Sequence, residues 1–80
     1  MTTTIYTRSA CAQCEATKDA LTRRGFQFET VDLSQDAAAL ERLRAQGFMS
    51  APVVVTEDDA WSGFRPDKIM ELTSKTEARA

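Results

Sequence analysis

The chain predicts a small α/β domain: a four-stranded mixed sheet with three helices covering its faces, in the order β-α-β-α-β-β-α. Three observations carry that prediction. Apolar, β-branched runs alternate with stretches of helical periodicity. The first strand–helix–strand unit is long enough for a crossover, so its two strands should run parallel. The link Glu57-Asp58-Asp59 between the last two strand-like runs is too short for a crossover, so that pair should be a hairpin.

Each element follows from its residues. Thr3 to Thr7 is β-branched and aromatic, and reads as the first strand. Arg8-Ser9-Ala10 connects it to a helix from about Cys11 to Arg24. Cys14, Thr17 and Leu21 share one face of that helix, and Gly25 is its expected C-terminal cap. Phe26 to Asp32 reads as the second strand. Ser34 is the expected N-cap of a helix from about Gln35 to Gln46, with Leu40 and Leu43 inward and Gly47 at its end. Pro52 to Thr56 is the third strand, opened by a proline where a missing N–H is tolerated. Ala60-Trp61-Ser62 is a short fourth strand ended by Gly63. Pro66 fits the first position of a helix running to about Lys75, with Ile69 and Leu72 as its apolar contacts. Residues 1–75 thus make one domain, with 76–80 a flexible tail.

Composition narrows the function. Eighty residues at 42% hydrophobic and 28% charged content are ordinary for one small globular domain. A net charge of −2 without long runs of one sign disfavours nucleic acid and anionic membrane surfaces as partners. No segment approaches the ~20 apolar residues of a membrane span. Met1-Thr2-Thr3-Thr4 lacks the charged start and apolar stretch of a secretory signal, so the expected location is the cytoplasm.

The chemistry lies in Cys11 and Cys14, the only two cysteines. A Cys-x-x-Cys where a strand turns into a helix suits reversible dithiol–disulfide exchange. Free N–H groups and the helix dipole at the helix start should lower the pKa of Cys11. Cys14, one turn further in, should be more buried. Cys11 is therefore the expected nucleophile and Cys14 the resolving thiol. Other readings of the pair remain. Structural zinc takes four N or S ligands, so with two cysteines and no histidine a zinc or iron–sulfur site would need two chains. The cysteines could also be inert core residues, or a disulfide that staples the helix start.

The chain resembles a known family. Cys11-Ala12-Gln13-Cys14 after a first strand, Pro52 at the mouth of the third and a glycine turn before the last helix resemble the thioredoxin fold in its short glutaredoxin form. Cys-x-Gln-Cys, Ala51-Pro52-Val53-Val54-Val55 and Trp61-Ser62-Gly63-Phe64-Arg65-Pro66 are similar to the NrdH redoxins over nearly the whole chain. The resemblance implies that Pro52 is cis, and that the Ala51 backbone beside it pairs with an extended substrate segment. It places the segment Trp61, Ser62, Gly63, Phe64 and Arg65 on the partner-facing surface beside the site, although a lone aromatic is ordinarily a core residue. Arg8, Ala12 and Gln13 are further candidate partner contacts; Arg8, just before the nucleophile, would either favour a thiolate there or be an ordinary surface charge. Arg65 either bonds Asp67 or neighbouring backbone, or stays solvated.

Departures from ordinary glutaredoxins select the electron source. Those proteins carry Cys-Pro-Tyr-Cys, and a Gly-Gly turn followed by acidic residues that grip glutathione. Here the motif is Cys-Ala-Gln-Cys, and Phe64-Arg65-Pro66 replaces the acidic group. Glutathione's ammonium would lose a charge-assisted bond worth about 1.5–3 kcal/mol. The resemblance therefore implies recharging by thioredoxin reductase, a flavoprotein drawing on NADPH, and delivery to the large subunit of a class Ib ribonucleotide reductase. The chain is expected to work as a monomer, with no metal and no cofactor beyond its cysteine pair. The alternatives are a glutathione-dependent glutaredoxin and a cysteine-bridged metal or iron–sulfur dimer.

Overall fold

The computed structural model describes residues 3–57 and 59–79, the last five as backbone. Met1, Thr2, Asp58 of the expected turn and Ala80 of the expected tail lie outside the described residues. The elements are β1 (Thr4–Thr7), α1 (Ala12–Arg23), β2 (Glu29–Asp32), α2 (Ala37–Ala45), β3 (Val53–Val55), β4 (Ala60–Ser62) and α3 (Pro66–Arg79). They build one sheet in the order β2-β1-β3-β4. β1 and β2 are parallel; β1–β3 and β3–β4 are antiparallel. The mixed sheet and its hairpin match the expectation from sequence.

Strand alternation sends side chains to two cores, one on each face of the sheet. Ile5, Val54 and Trp61 are successive register partners across β1, β3 and β4. They are buried with Leu21 of α1 and Ile69 of α3. Val53 faces the other way, where Leu33 and α2's Ala39 and Leu43 cover it. The expected stripe of α1 is present: Cys14, Thr17 and Leu21 are its buried residues. Thr17 is tolerated there because its hydroxyl donates to the Gln13 carbonyl, 2.8 Å away. Thr73 likewise donates to Ile69 O at 2.9 Å and accepts from Arg24 Nη1 at 3.3 Å, tying α1 to α3.

Several boundaries differ from the sequence reading. β2 begins at Glu29, not Phe26. The Gly25 N–H donates to Thr22 O and the Phe26 N–H to Leu21 O, so Phe26 is spent closing α1 in a Schellman motif. Phe26 and Phe28 pack against the first core from that connection. α2 begins after Asp36, whose Oδ1 accepts the Ala39 N–H at 3.0 Å. Ser34, the expected cap, instead gives its N–H and hydroxyl to Asp32 Oδ1 in the preceding turn. β3 shortens to Val53–Val55; at its far end the Thr56 N–H closes the hairpin turn on Asp59 O at 2.8 Å. α3 runs to Arg79, beyond the expected end near Lys75. Among the described residues no helix is long and apolar enough to cross a membrane.

Candidate active site at the start of α1

The turn from β1 into α1 builds the site. Ala10 takes φ 53°, a left-handed conformation costing alanine about 1 kcal/mol. Cys11 follows as the N-cap, in extended backbone, and its sulfur accepts the Cys14 N–H at 3.1 Å. The capping bond usually made by a Ser or Asp oxygen is here made by sulfur, so the first turn of α1 is closed onto Cys11. Cys11 and Cys14 are joined in a disulfide, their Cα atoms 5.2 Å apart. The pair is asymmetric: Cys11 is half-buried, whereas Cys14 is 0% exposed on the core side of α1.

Two further segments close around the motif. Ala51-Pro52 is a cis peptide, as the resemblance implied. The Pro52 carbonyl accepts the Gly63 N–H at 2.8 Å. The next N–H along, that of Phe64, donates to Gln13 Oε1 at 3.3 Å. Gly63 turns the chain between those two donors at φ +83°. The Cys-Ala-Gln-Cys turn, the cis-proline and the loop after β4 are therefore one hydrogen-bonded assembly.

The candidate residues divide by exposure. Ala12 and Gln13 are exposed in the first turn of α1, Ala51 is half-buried, and Pro52 is buried. Ser62 ends β4 opposite Val53. Phe64 is 39% exposed, a large apolar side chain on the surface beside Gln13. Trp61 corrects the expectation of a partner-facing residue. Its register position opposite Val54 turns it into the core, where it is 5% exposed. Among the described residues its Nε1 finds no acceptor. Arg65 grips Asp67 with two bonds, Nε to Oδ1 at 3.1 Å and Nη2 to Oδ2 at 2.9 Å. That contact raises the Arg65 pKa and holds the Asp67 carboxyl below its ordinary value.

Arg8 is exposed and lines a cavity of about 120 Å³ with Ala51, Ser50, Arg44 and Phe48. Sequence reasoning does not single out Arg44, Phe48 and Ser50 among these lining residues. They come from α2 and the loop after it, and no local motif marks them.

The arrangement supports one chemistry. A partly buried cysteine at a helix N-terminus, joined to a fully buried one a turn further on, defines a dithiol–disulfide oxidoreductase of thioredoxin-like architecture. A glutaredoxin family profile matches residues 3–61. The chain is 54% identical over 72 residues to the glutaredoxin-like protein NrdH of Escherichia coli K12, covering 90% of this chain and 89% of that one. The NrdH of Lactococcus lactis IL1403 is 32% identical over 69 residues, covering 86% and 96%. The solved structure of Escherichia coli NrdH-redoxin superimposes with a TM-score of 0.88 at 54% identity, covering 90% and 95%. The chain belongs to the glutaredoxin family, as a redoxin of the NrdH type.

Proposed function

We propose that Cys11 and Cys14 carry electrons from thioredoxin reductase to the disulfide of a class Ib ribonucleotide reductase large subunit, in the cytoplasm. In the dithiol state the free N–H groups at the start of α1 favour a thiolate at Cys11. That sulfur attacks one sulfur of the client disulfide. The client S–S bond breaks, one client thiolate leaves, and a mixed disulfide forms. Cys14 then loses its proton and attacks Cys11 Sγ. The Cys11–Cys14 bond forms and the second client thiolate departs. Two electrons have passed to the client, and because Cys14 is tethered one turn away its attack is intramolecular. NADPH restores the dithiol through the flavoprotein, so the chain needs no cofactor of its own.

The observation that carries the choice of reductase is the Arg65–Asp67 pair. Asp67 is the carboxylate at the start of α3, and Arg65 already engages both its oxygens. Glutathione's ammonium would have to displace a guanidinium to reach it. The E. coli relative is described as a glutaredoxin-like protein with a thioredoxin-like activity profile, which supports the same reading. The test is NADPH oxidation in two parallel assays, one with thioredoxin reductase and one with glutathione plus glutathione reductase. Turnover in the first alone is expected; turnover in the second alone overturns the proposal in favour of a glutathione-linked glutaredoxin.

A further inference from the structure

We infer that the cavity between Arg8, α2 and the loop leading to Pro52 docks an acidic, extended segment of the client polypeptide. One apolar side chain of that segment fills the cavity, and carboxylates beside it meet Arg8 and Arg44. The inference rests on the disulfide-exchange reading above and adds the chemistry of the client.

The cavity is apolar within and cationic at its mouth. Buried Leu33, Leu43 and Val53 form part of its lining, together with Phe48. Its volume of about 120 Å³ is well under the ~300 Å³ at which sites for drug-sized ligands begin, so it suits one side chain and not a cofactor. Met49, 75% exposed at the rim, supplies a flexible apolar edge that adapts to what enters.

Charge decides the partner. Lys18, Arg23, Arg65 and Lys68 each hold an ion pair with a neighbouring carboxylate. Arg24 bonds the Thr73 hydroxyl. Among the described residues Arg8, Arg42 and Arg44 hold no such ion pair, and of these three Arg8 and Arg44 line this cavity. The chain as a whole carries −2, so this positive rim is local. Complementary carboxylates would gain a pairing that the described residues do not supply, and would speed encounter. Position agrees with charge. Ala51 is both a wall of the cavity and the residue preceding cis-Pro52. A client strand lying along the Ala51 backbone, with its disulfide at Cys11, brings a nearby side chain to the cavity mouth.

The test compares two peptides that share a Cys-Gly-Gly-Cys disulfide and differ only in an adjoining Glu-Leu-Glu or Lys-Leu-Lys. Full-length protein is reduced with dithiothreitol, desalted, and mixed with each peptide at low salt; single-turnover rates are read by acid quench and mass spectrometry. Neutral 2,2′-dithiodipyridine and glutathione disulfide serve as further substrates. Wild type should reduce the acidic peptide about tenfold faster than the basic one. Arg44→Glu should abolish that preference and Arg44→Gln should reduce it, both leaving the 2,2′-dithiodipyridine rate unchanged. Equal peptide rates in wild type overturn the inference, as does an equal slowing of both peptides by Arg44→Glu. Slowing of glutathione disulfide but not of the acidic peptide by Arg44→Glu would make glutathione the occupant and also overturn it. Failure to reduce even 2,2′-dithiodipyridine would overturn the redox reading, and this inference with it.

Discussion

Gln13 Oε1 accepts the Phe64 backbone N–H at 3.3 Å, joining the cysteine turn to a loop 51 residues further along the chain. Two residues that look unrelated in sequence thereby fix the distance between the dithiol and the exposed Phe64 ring. Replacing Gln13 by Ala removes the acceptor. The N–H is at the surface and water can take the bond, so stability should fall by only about 0.5 kcal/mol in urea denaturation. The KM for the reductase should rise severalfold with kcat nearly unchanged, because the effect is on positioning. A kcat collapse at constant KM would place Gln13 in the chemical step instead.

Gly63 sits at φ +83°, and a Cβ built there meets only Gln13 Oε1, at 3.6 Å. That is ordinary contact, so conformation and not space sets the cost of a side chain. Gly63→Ala should lose about 1 kcal/mol of stability, and Gly63→Asn less, since asparagine tolerates the left-handed region. Urea unfolding of the two variants measures this; a loss larger for Asn than for Ala would contradict it.

Asp67 gives the fold an acid-sensitive contact. The Arg65 bonds lower its pKa below the unfolded reference of 3.8. Its stabilisation is therefore present above that reference and is lost as pH falls through the still lower folded value. Its place in the first turn of α3 acts in the same direction through the helix dipole. Asp67→Asn should lower Tm slightly near pH ~7, and the gap to wild type should close by pH ~2. A gap that stays constant across that range would show that the carboxylate charge contributes nothing.

Much of this architecture was legible because local chemistry and tertiary structure agreed. Cys14, Thr17 and Leu21 repeat at helical spacing, and that face is the buried one. Gly25 and Gly47 stand after the helices they end, both at positive φ. Misreadings arose where two local rules competed. Ser34 and Asp36 are both capping residues, and Ser34 was already committed to Asp32. Phe26 and Phe28 alternate as a strand would, but Phe26 is the residue after a Schellman glycine. Phe48 holds the same position after Gly47, donating to Leu43 O at 2.9 Å. Trp61 could not be placed until the register put it opposite Val54. The Arg8–Arg44 cavity joins residues distant in the chain, and no spacing announces it.

The two cysteines should fail differently when changed. Cys14→Ser keeps the more accessible cysteine and loses the resolving thiol, so it should accumulate a mixed disulfide with the client. Cys11→Ser leaves only a buried thiol and should abolish reduction. Mass spectrometry of quenched reactions distinguishes them; rapid multiple turnover by Cys14→Ser would contradict the proposed roles.

The asymmetry of the pair has a still more direct measurement. The protein is reduced, treated with limiting iodoacetamide near neutral pH, and digested for peptide mass mapping. Alkylation of Cys11 alone is the result predicted by a partly buried Cys11 at the N-terminus of α1 and a Cys14 that is 0% exposed. Modification of Cys14 first, or of both at equal rate, would contradict the assignment of Cys11 as the attacking thiol.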